Sequence, residues 1–171
     1  GKSYGLDFQR PSYFFTNMNG EWGTLIHVAD SSKIYSGIVR LKKKIDLQDT
    51  IDHVVASGEV PLFVMLDGIT DVRNIGAIAR TSLCCGAQVM IIPDKGIGAF
   101  NEEALKSSAG ALQKMMVCRV NSLLKAIDTL HMNGIAVYTS EMKTKTLLSD
   151  VDFIKPNCIV MGSEDKGVQP F

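Results

Sequence analysis

Asn74 and Arg80 stand six residues apart in a stretch whose other side chains are small or apolar, Asn74-Ile75-Gly76-Ala77-Ile78-Ala79-Arg80. An amide and a guanidinium look misplaced in a purely structural helix. Neither is a useful base, since a guanidinium holds its proton to a pKa above about 12. Both donate hydrogen bonds, which suits them to gripping an anion or steadying one as it forms. A second polar group, Gly162-Ser163-Glu164-Asp165-Lys166-Gly167, follows an apolar run, and a third, Thr139-Ser140-Glu141, follows another. Glu164 can orient Asn74 or Arg80, while Gly162 and Gly167 suit a close approach of backbone. Each residue has a bland alternative: Asn74 a helix cap, Arg80 a surface cation paired with a carboxylate, Glu164 an exposed turn acid.

The elements that must position these groups are legible from periodicity. Leu62 to Leu66 is a continuous apolar run of the kind buried on both faces of a parallel sheet. Asp67-Gly68 breaks it, Thr70 or Asp71 can cap the helix that follows, and Gly86 sits where a left-handed C-cap belongs. Gln88 to Ile92 gives the next strand. Asp46 to Ser57 reads as an amphipathic helix carrying Leu47, Ile51, Val54 and Val55. Asn101 caps a helix from Glu102 whose middle, Lys106-Ser107-Ser108-Ala109-Gly110-Ala111, is unusually rich in small residues. Val117 to Val120 is a short strand, Asn121 caps a helix carrying Leu124, Ile127 and Leu130, and Gly134 ends it. Ile135 to Thr139 and Asn157 to Met161 are the last strands, with one turn around Leu147-Leu148 between them. Alternating strands and helices predict an α/β fold: a largely parallel sheet with helices on both faces. Ligands of such sheets sit beyond the carboxyl ends of the strands. The segments Asp67 to Arg80, Pro93 to Gly98, Thr139 to Glu141 and Gly162 to Gly167 all fall there.

Residues before Asp46 are less regular. Tyr13-Phe14-Phe15 and Thr24 to Val28 are short strand-like runs, Trp22 reads as a packing anchor, and Tyr35 to Leu41 is a better strand. Arg40, Lys42, Lys43 and Lys44 form the densest positive run, either a solvated strand end or a phosphate-contacting patch. The 171 residues carry 18 basic and 18 acidic side chains, so the whole-molecule charge announces no nucleic-acid binder. Cys84, Cys85, Cys118 and Cys158 lack zinc-site spacing and read as buried free thiols of a reducing compartment. No apolar run approaches a membrane span and no signal-peptide pattern opens the chain, so a cytoplasmic protein is expected. Gly96 and Gly98 do not make a dinucleotide fingerprint, since the third glycine is missing.

Four pieces together resemble a known family. Asn74 to Thr81 is similar to the first signature of the SpoU (TrmH-like) RNA 2′-O-ribose methyltransferases, in the knotted SPOUT superfamily. Ile159 to Gly167 is similar to the second signature. Leu66 to Asp71 and Lys106 to Ala111 also fit, in the right order and spacing. The resemblance spans about residues 34 to 170 and is greatest to the RlmB-like subgroup, which methylates a guanosine of 23S ribosomal RNA. There a small RNA-binding domain precedes the catalytic one, and Tyr35 to Leu41 resembles its closing segment. Residues 1–45 are thus expected to be a remnant of that domain or a linker from it, and 46–171 the methyltransferase domain. The family's third signature, a Ser-Leu-Asn-containing stretch, has no counterpart before Phe171. The C-terminal knot segment is expected to be missing from this chain.

The resemblance implies transfer of a methyl group from S-adenosyl-L-methionine to a ribose 2′-hydroxyl of RNA, ribosomal more than transfer RNA, by a homodimer whose partner subunit helps build the substrate site. It implies catalytic roles for Arg80, Asn74 and Glu164, with Arg80 also facing RNA beside Arg40, Lys42, Lys43 and Lys44. It puts Thr139, Ser140, Met161, Gly162, Ser163 and Gly167 at the cofactor. His27, His53 and His131 lie outside the signatures, and no metal is implied. The rival reading is a non-catalytic RNA-binding relative that keeps the fold. A doubly wound domain for some other nucleotide is a third.

Overall fold

The computed structural model describes residues 46–141, 144 and 147–170, and before them only the strands at 6–7, 13–16, 22–25 and 27–28. The chain divides into two compact units, Gly1–Lys43 and Lys44–Phe171. In the first, β1 (Leu6–Asp7) pairs antiparallel with β4 (His27–Val28), and β2 (Tyr13–Thr16) with β3 (Trp22–Leu25). The expected strand Tyr35 to Leu41 and the basic run Arg40, Lys42, Lys43 and Lys44 lie outside the described residues.

The second unit is built on a five-stranded sheet of β5 (Leu62–Asp67), β6 (Val89–Pro93), β7 (Met116–Val120), β8 (Ala136–Thr139) and β9 (Asn157–Gly162), in the order β7-β6-β5-β9-β8. Every neighbouring pair is parallel. Strand alternation sends successive side chains to opposite faces. Phe63, Met65, Val89, Ile91, Cys158 and Val160 therefore face one core layer, against α1 (Leu47–Ala56) and α5 (Leu123–Met132). Val64, Leu66, Met90 and Ile92 face the other, against α2 (Val72–Cys84), α3 (Glu102–Ser107) and α4 (Ala111–Lys114). The doubly buried β5 explains its unbroken apolar run.

The helix starts follow from capping. Asp46 accepts the N–H of Gln48 at the start of α1, and Asp71 that of Arg73 at the start of α2. Asn101 accepts the N–H of Ala104. Ser122, rather than the expected Asn121, caps α5, because its hydroxyl reaches the N–H three residues on, at Lys125. The small-residue run is not a helix middle as expected. It breaks into α3 and α4 because Ala109 (φ 48°) and Gly110 (φ 86°) are left-handed. Its smallness serves packing: a Cβ on Gly76 of α2 would stand 1.9 Å from Ser107 Oγ and 2.5 Å from the Ala104 carbonyl oxygen. On the opposite layer Gln48 and Asn133 exchange two amide hydrogen bonds, at 3.0 and 2.9 Å, tying α1 to α5. Between β8 and β9 a 3-10 turn spans Leu148–Asp150, at the place where one turn was expected. Among the described residues no helix is long and apolar enough to cross a membrane.

Candidate functional site

Parallel pairing brings the ends of β5 and β9 side by side, with Asp67 opposite Gly162. The chain leaves β9 into a tight loop in which Ser163 and Gly167 exchange both backbone hydrogen bonds, 3.1 and 2.9 Å. Ser163 Oγ accepts the Lys166 N–H at 3.2 Å inside it. The loop folds back so closely that a Cβ on Gly162 would meet the Gly167 carbonyl carbon at 2.1 Å and the Val168 nitrogen at 2.2 Å. Gly167 itself is left-handed, with φ 67°. Both glycines are thus required by the backbone.

Two side chains hold this loop, one at each limb. The amide of Asn74, in the first turn of α2, donates to Glu164 Oε1. Asp67 Oδ2, at the buried end of β5, accepts the backbone N–H of Gln169 at 2.7 Å. Asn74 is therefore not the helix cap; Asp71 takes that role, which frees the Asn74 side chain to cross to the loop. Arg73 shares the Asp71 carboxylate, and its hydrogen bond is the largest cause holding that exposed carboxyl below its usual range. A neighbouring wall comes from Gly98, whose N–H donates to Ile69 and whose Cα lies too near the Thr70 carbonyl to carry a side chain.

Thr139 and Ser140 lie exposed at the end of β8, beside this loop, and the Ser140 N–H continues the ladder to Val160 at 3.0 Å. Ser163 approaches Gly68 across the β5 end. Met161 is one residue below the rim and lines a different feature, an apolar cleft of about 390 Å³ on the α2 side, with Leu62, Ile78, Thr81, Cys85 and Ile159.

Arg80 is not brought to the Asn74–Glu164 pair. It is exposed on α2, six residues beyond Asn74. At about 100° and 1.5 Å per residue the two point roughly 120° apart and stand about 9 Å apart along the axis. Ala77, Ile78 and Thr81 share the Asn74 side of the helix and line the cleft; Arg80 does not. The role of Asp67 was missed in the sequence, where it reads only as a strand breaker. An acidic residue closing a doubly buried strand was the available signal.

In a parallel α/β sheet the loops beyond adjacent strand ends, such as this glycine-bounded one, are where ligands bind. Comparison with known proteins defines it further. Residues 61–170 match the SpoU rRNA Methylase family, and the chain belongs to that family. It is 35% identical over 123 residues to an uncharacterized tRNA/rRNA methyltransferase of Synechocystis, covering 72% of this chain and 32% of that protein. It is 33% identical over 132 residues to the 23S rRNA (guanosine-2′-O-)-methyltransferase RlmB of Xylella fastidiosa, covering 77% and 51%. Among solved structures it resembles the SpoU methyltransferase AviRb of Streptomyces viridochromogenes in complex with AdoMet, with a TM-score of 0.56, 26% identity, and coverage of 64% and 43%. The chain thus spans between 32% and 63% of the length of the first curated relatives it matches.

Proposed function

We propose that this chain carries the catalytic core of an S-adenosyl-L-methionine-dependent RNA methyltransferase acting on a ribose 2′-hydroxyl, in ribosomal RNA before transfer RNA. The observation that carries the reading is the Asn74–Glu164 hydrogen bond, which joins the two polar segments across ninety residues of sequence at adjacent strand ends. Family membership and a relative solved with AdoMet support the cofactor. The residues fit it: at Gly162 the loop lies against its own return limb, leaving backbone rather than side chains to meet a flat adenosine, with Thr139 and Ser140 beside it. Ser163 and Gly167 fix the loop, and Met161 anchors it from below.

When bound, the sulfonium supplies an activated methyl group. The chain then has to align the attacking oxygen and help it lose its proton. Glu164 holds the Asn74 amide in place, so the second amide N–H of Asn74 is left to donate to an RNA oxygen. Arg80 acts as an electrostatic group on the phosphate beside the target ribose and on the developing alkoxide, not as a base.

Because Arg80 faces away from Asn74, it serves the site of a second copy. The active form is a homodimer in which each subunit lends its Arg80 to the other. Residues 1–45 contribute RNA contacts through Arg40, Lys42, Lys43 and Lys44.

The test is methyl transfer from labelled S-adenosyl-L-methionine to ribosomal and transfer RNA, with mass-spectrometric mapping of 2′-O-methylated nucleosides. RNA binding without any methyl transfer would establish the non-catalytic reading instead. For the shared site, Arg80→Ala and Glu164→Ala proteins are inactive alone and regain part of the activity when mixed. No recovery on mixing overturns the exchange of Arg80.

A further inference from the structure

Moving a methyl group onto a ribose hydroxyl leaves one proton to be taken away, and neither Arg80 nor Asn74 can take it. A guanidinium has no acceptor, and an amide oxygen is too weakly basic. The histidines of the second unit are at the wrong end of the sheet. His53, in the last turn of α1, shares a recess with Gln88 and Met116, where β6 and β7 begin. His131, in the last turn of α5, lies just before β8 begins. Cys84 and Cys85 end α2 just before β6. The groups left to accept a proton at the carboxyl ends of the strands are carboxylates.

Most of these are committed. Asp46 and Asp71 cap helices, and Asp71 also pairs with Arg73. Asp67 takes the Gln169 N–H, and Asp94 is not free either. Glu102 pairs with Lys106 at 3.0 Å, and Glu103 stands 3.9 Å from Arg73. Glu164 differs from all of them. Its Oε1 accepts the Asn74 amide, which fixes the carboxylate, while Oε2 has no partner among the described residues. The side chain is exposed, between α2 and the glycine-bounded loop. Glu141 and Asp165 are exposed nearby, but among the described residues no hydrogen bond or ion pair holds either in place.

We propose that Glu164 is the proton acceptor of the reaction: its free Oε2 takes the proton of the attacking 2′-hydroxyl, while Asn74 holds the carboxylate in line through Oε1. The assignment rests on the methyltransferase reading given above. As the hydroxyl oxygen bonds to the methyl carbon, the carbon–sulfur bond breaks with its electron pair on sulfur. The proton goes to Oε2 and from there to water. A sulfonium and a carboxylate thereby become a neutral thioether and a neutral acid, and no separated charge is left behind. A hydroxyl oxygen that has begun to bond carbon is a far stronger acid than the free alcohol, so a carboxylate is basic enough to take its proton. Protein kinases use an aspartate on a substrate hydroxyl in the same way. The competing account is that Glu164 only orients Asn74.

The experiment uses a fluorescein-labelled RNA stem-loop containing the nucleotide that methyl mapping identifies, made with and without the 2′-hydroxyl at that position. Glu164→Gln keeps an oxygen for the Asn74 amide and loses the proton acceptor. Its single-turnover methyl transfer falls about 10²–10⁴-fold, while its melting temperature and its affinities for the stem-loop and for S-adenosyl-L-methionine change little. Asn74→Asp combined with Glu164→Gln returns a carboxylate to the pair and recovers part of the rate. Binding without cofactor reads the contact itself. Removing the 2′-hydroxyl weakens binding to the wild type about tenfold, as loss of a hydrogen bond to a charged group does, and has no effect in Glu164→Ala. Methyl transfer by Glu164→Gln near the wild-type rate leaves Glu164 an orienting role and overturns the proposal. So does an equal loss of affinity in the wild type and Glu164→Ala when the hydroxyl is removed. Wild-type protein that neither binds the cofactor nor methylates RNA overturns the functional reading itself.

Discussion

Asp67 and Gln169 are joined by a 2.7 Å hydrogen bond from the Gln169 backbone N–H to the Asp67 carboxylate, across the end of the central strand. Together with the Asn74–Glu164 bond it pins both limbs of the Ser163–Gly167 loop. Asp67→Ala removes the acceptor of this part-buried bond to a carboxylate, at a cost of about 1–3 kcal/mol in urea unfolding. It also weakens S-adenosyl-L-methionine binding by about tenfold. Asp67→Asn keeps an oxygen acceptor at the same place and restores most of both. Equal defects in the two variants would show that the charge, not the bond, matters.

Asn74→Asp tests the pair on the other limb. It replaces the donor by a carboxylate facing Glu164 and turns attraction into repulsion. Methyl transfer falls further than in Asn74→Ala, by about another tenfold, and double replacement with Glu164→Gln recovers part of the difference. A single-turnover assay reads this directly.

Gly76→Ala forces a methyl group into Ser107 Oγ and the Ala104 carbonyl oxygen. Overpacking of that kind costs about 1–3 kcal/mol. Adding Ser107→Ala relieves only the side-chain clash, because the carbonyl stays at 2.5 Å. Chemical denaturation of the single and double variants separates the two contributions.

Ala109→Gly acts in the opposite direction. Ala109 holds φ 48° at an exposed turn, where a Cβ is unfavourable. Glycine removes that cost of about 1–2 kcal/mol and returns some of it as unfolded-chain entropy. A net gain of about 0.5–1 kcal/mol is expected, seen as a higher urea midpoint.

The thiols divide by burial. Desolvation pushes Cys158 up to about 12 and Cys118 up to about 11. Cys84 and Cys85 are exposed. At pH 8 an alkylating reagent labels Cys84 and Cys85 in the native state and reaches the other two only after unfolding. Because the folded thiol pKa values exceed the ordinary 9.0, the contribution of these two groups to stability is full below about 9 and declines as pH rises toward 11 to 12.

Much of this was legible in the chain itself. The apolar runs of β5, β6 and β9, the cap at Asn101 and that at one of Thr70 and Asp71, and the parallel α/β sheet follow from periodicity and side-chain chemistry that act locally. The resemblance found Asn74 and Glu164, and the structure brings them together. What could not be read was direction. That Arg80 turns away from Asn74 depends on the helix phase relative to the sheet, and that Asp67 reaches Gln169 depends on a loop folding back over another strand. The break at Ala109 was hidden because nothing in alanine's chemistry announces a left-handed turn. The four thiols read alike as buried, and only the packing separates Cys118 and Cys158 from the exposed pair.

The strand order carries a kinetic consequence. β9 is the last of the described strands in sequence, yet it lies between β5 and β8 and pairs with β5 along its whole length. Such distant parallel pairing must absorb loop-closure entropy before it yields stability, and it slows folding. The earlier strands β5, β6 and β7 can associate in order as they emerge. Glu164 joins Asn74 only when β9 docks, so completion of the site is tied to this long-range strand pairing.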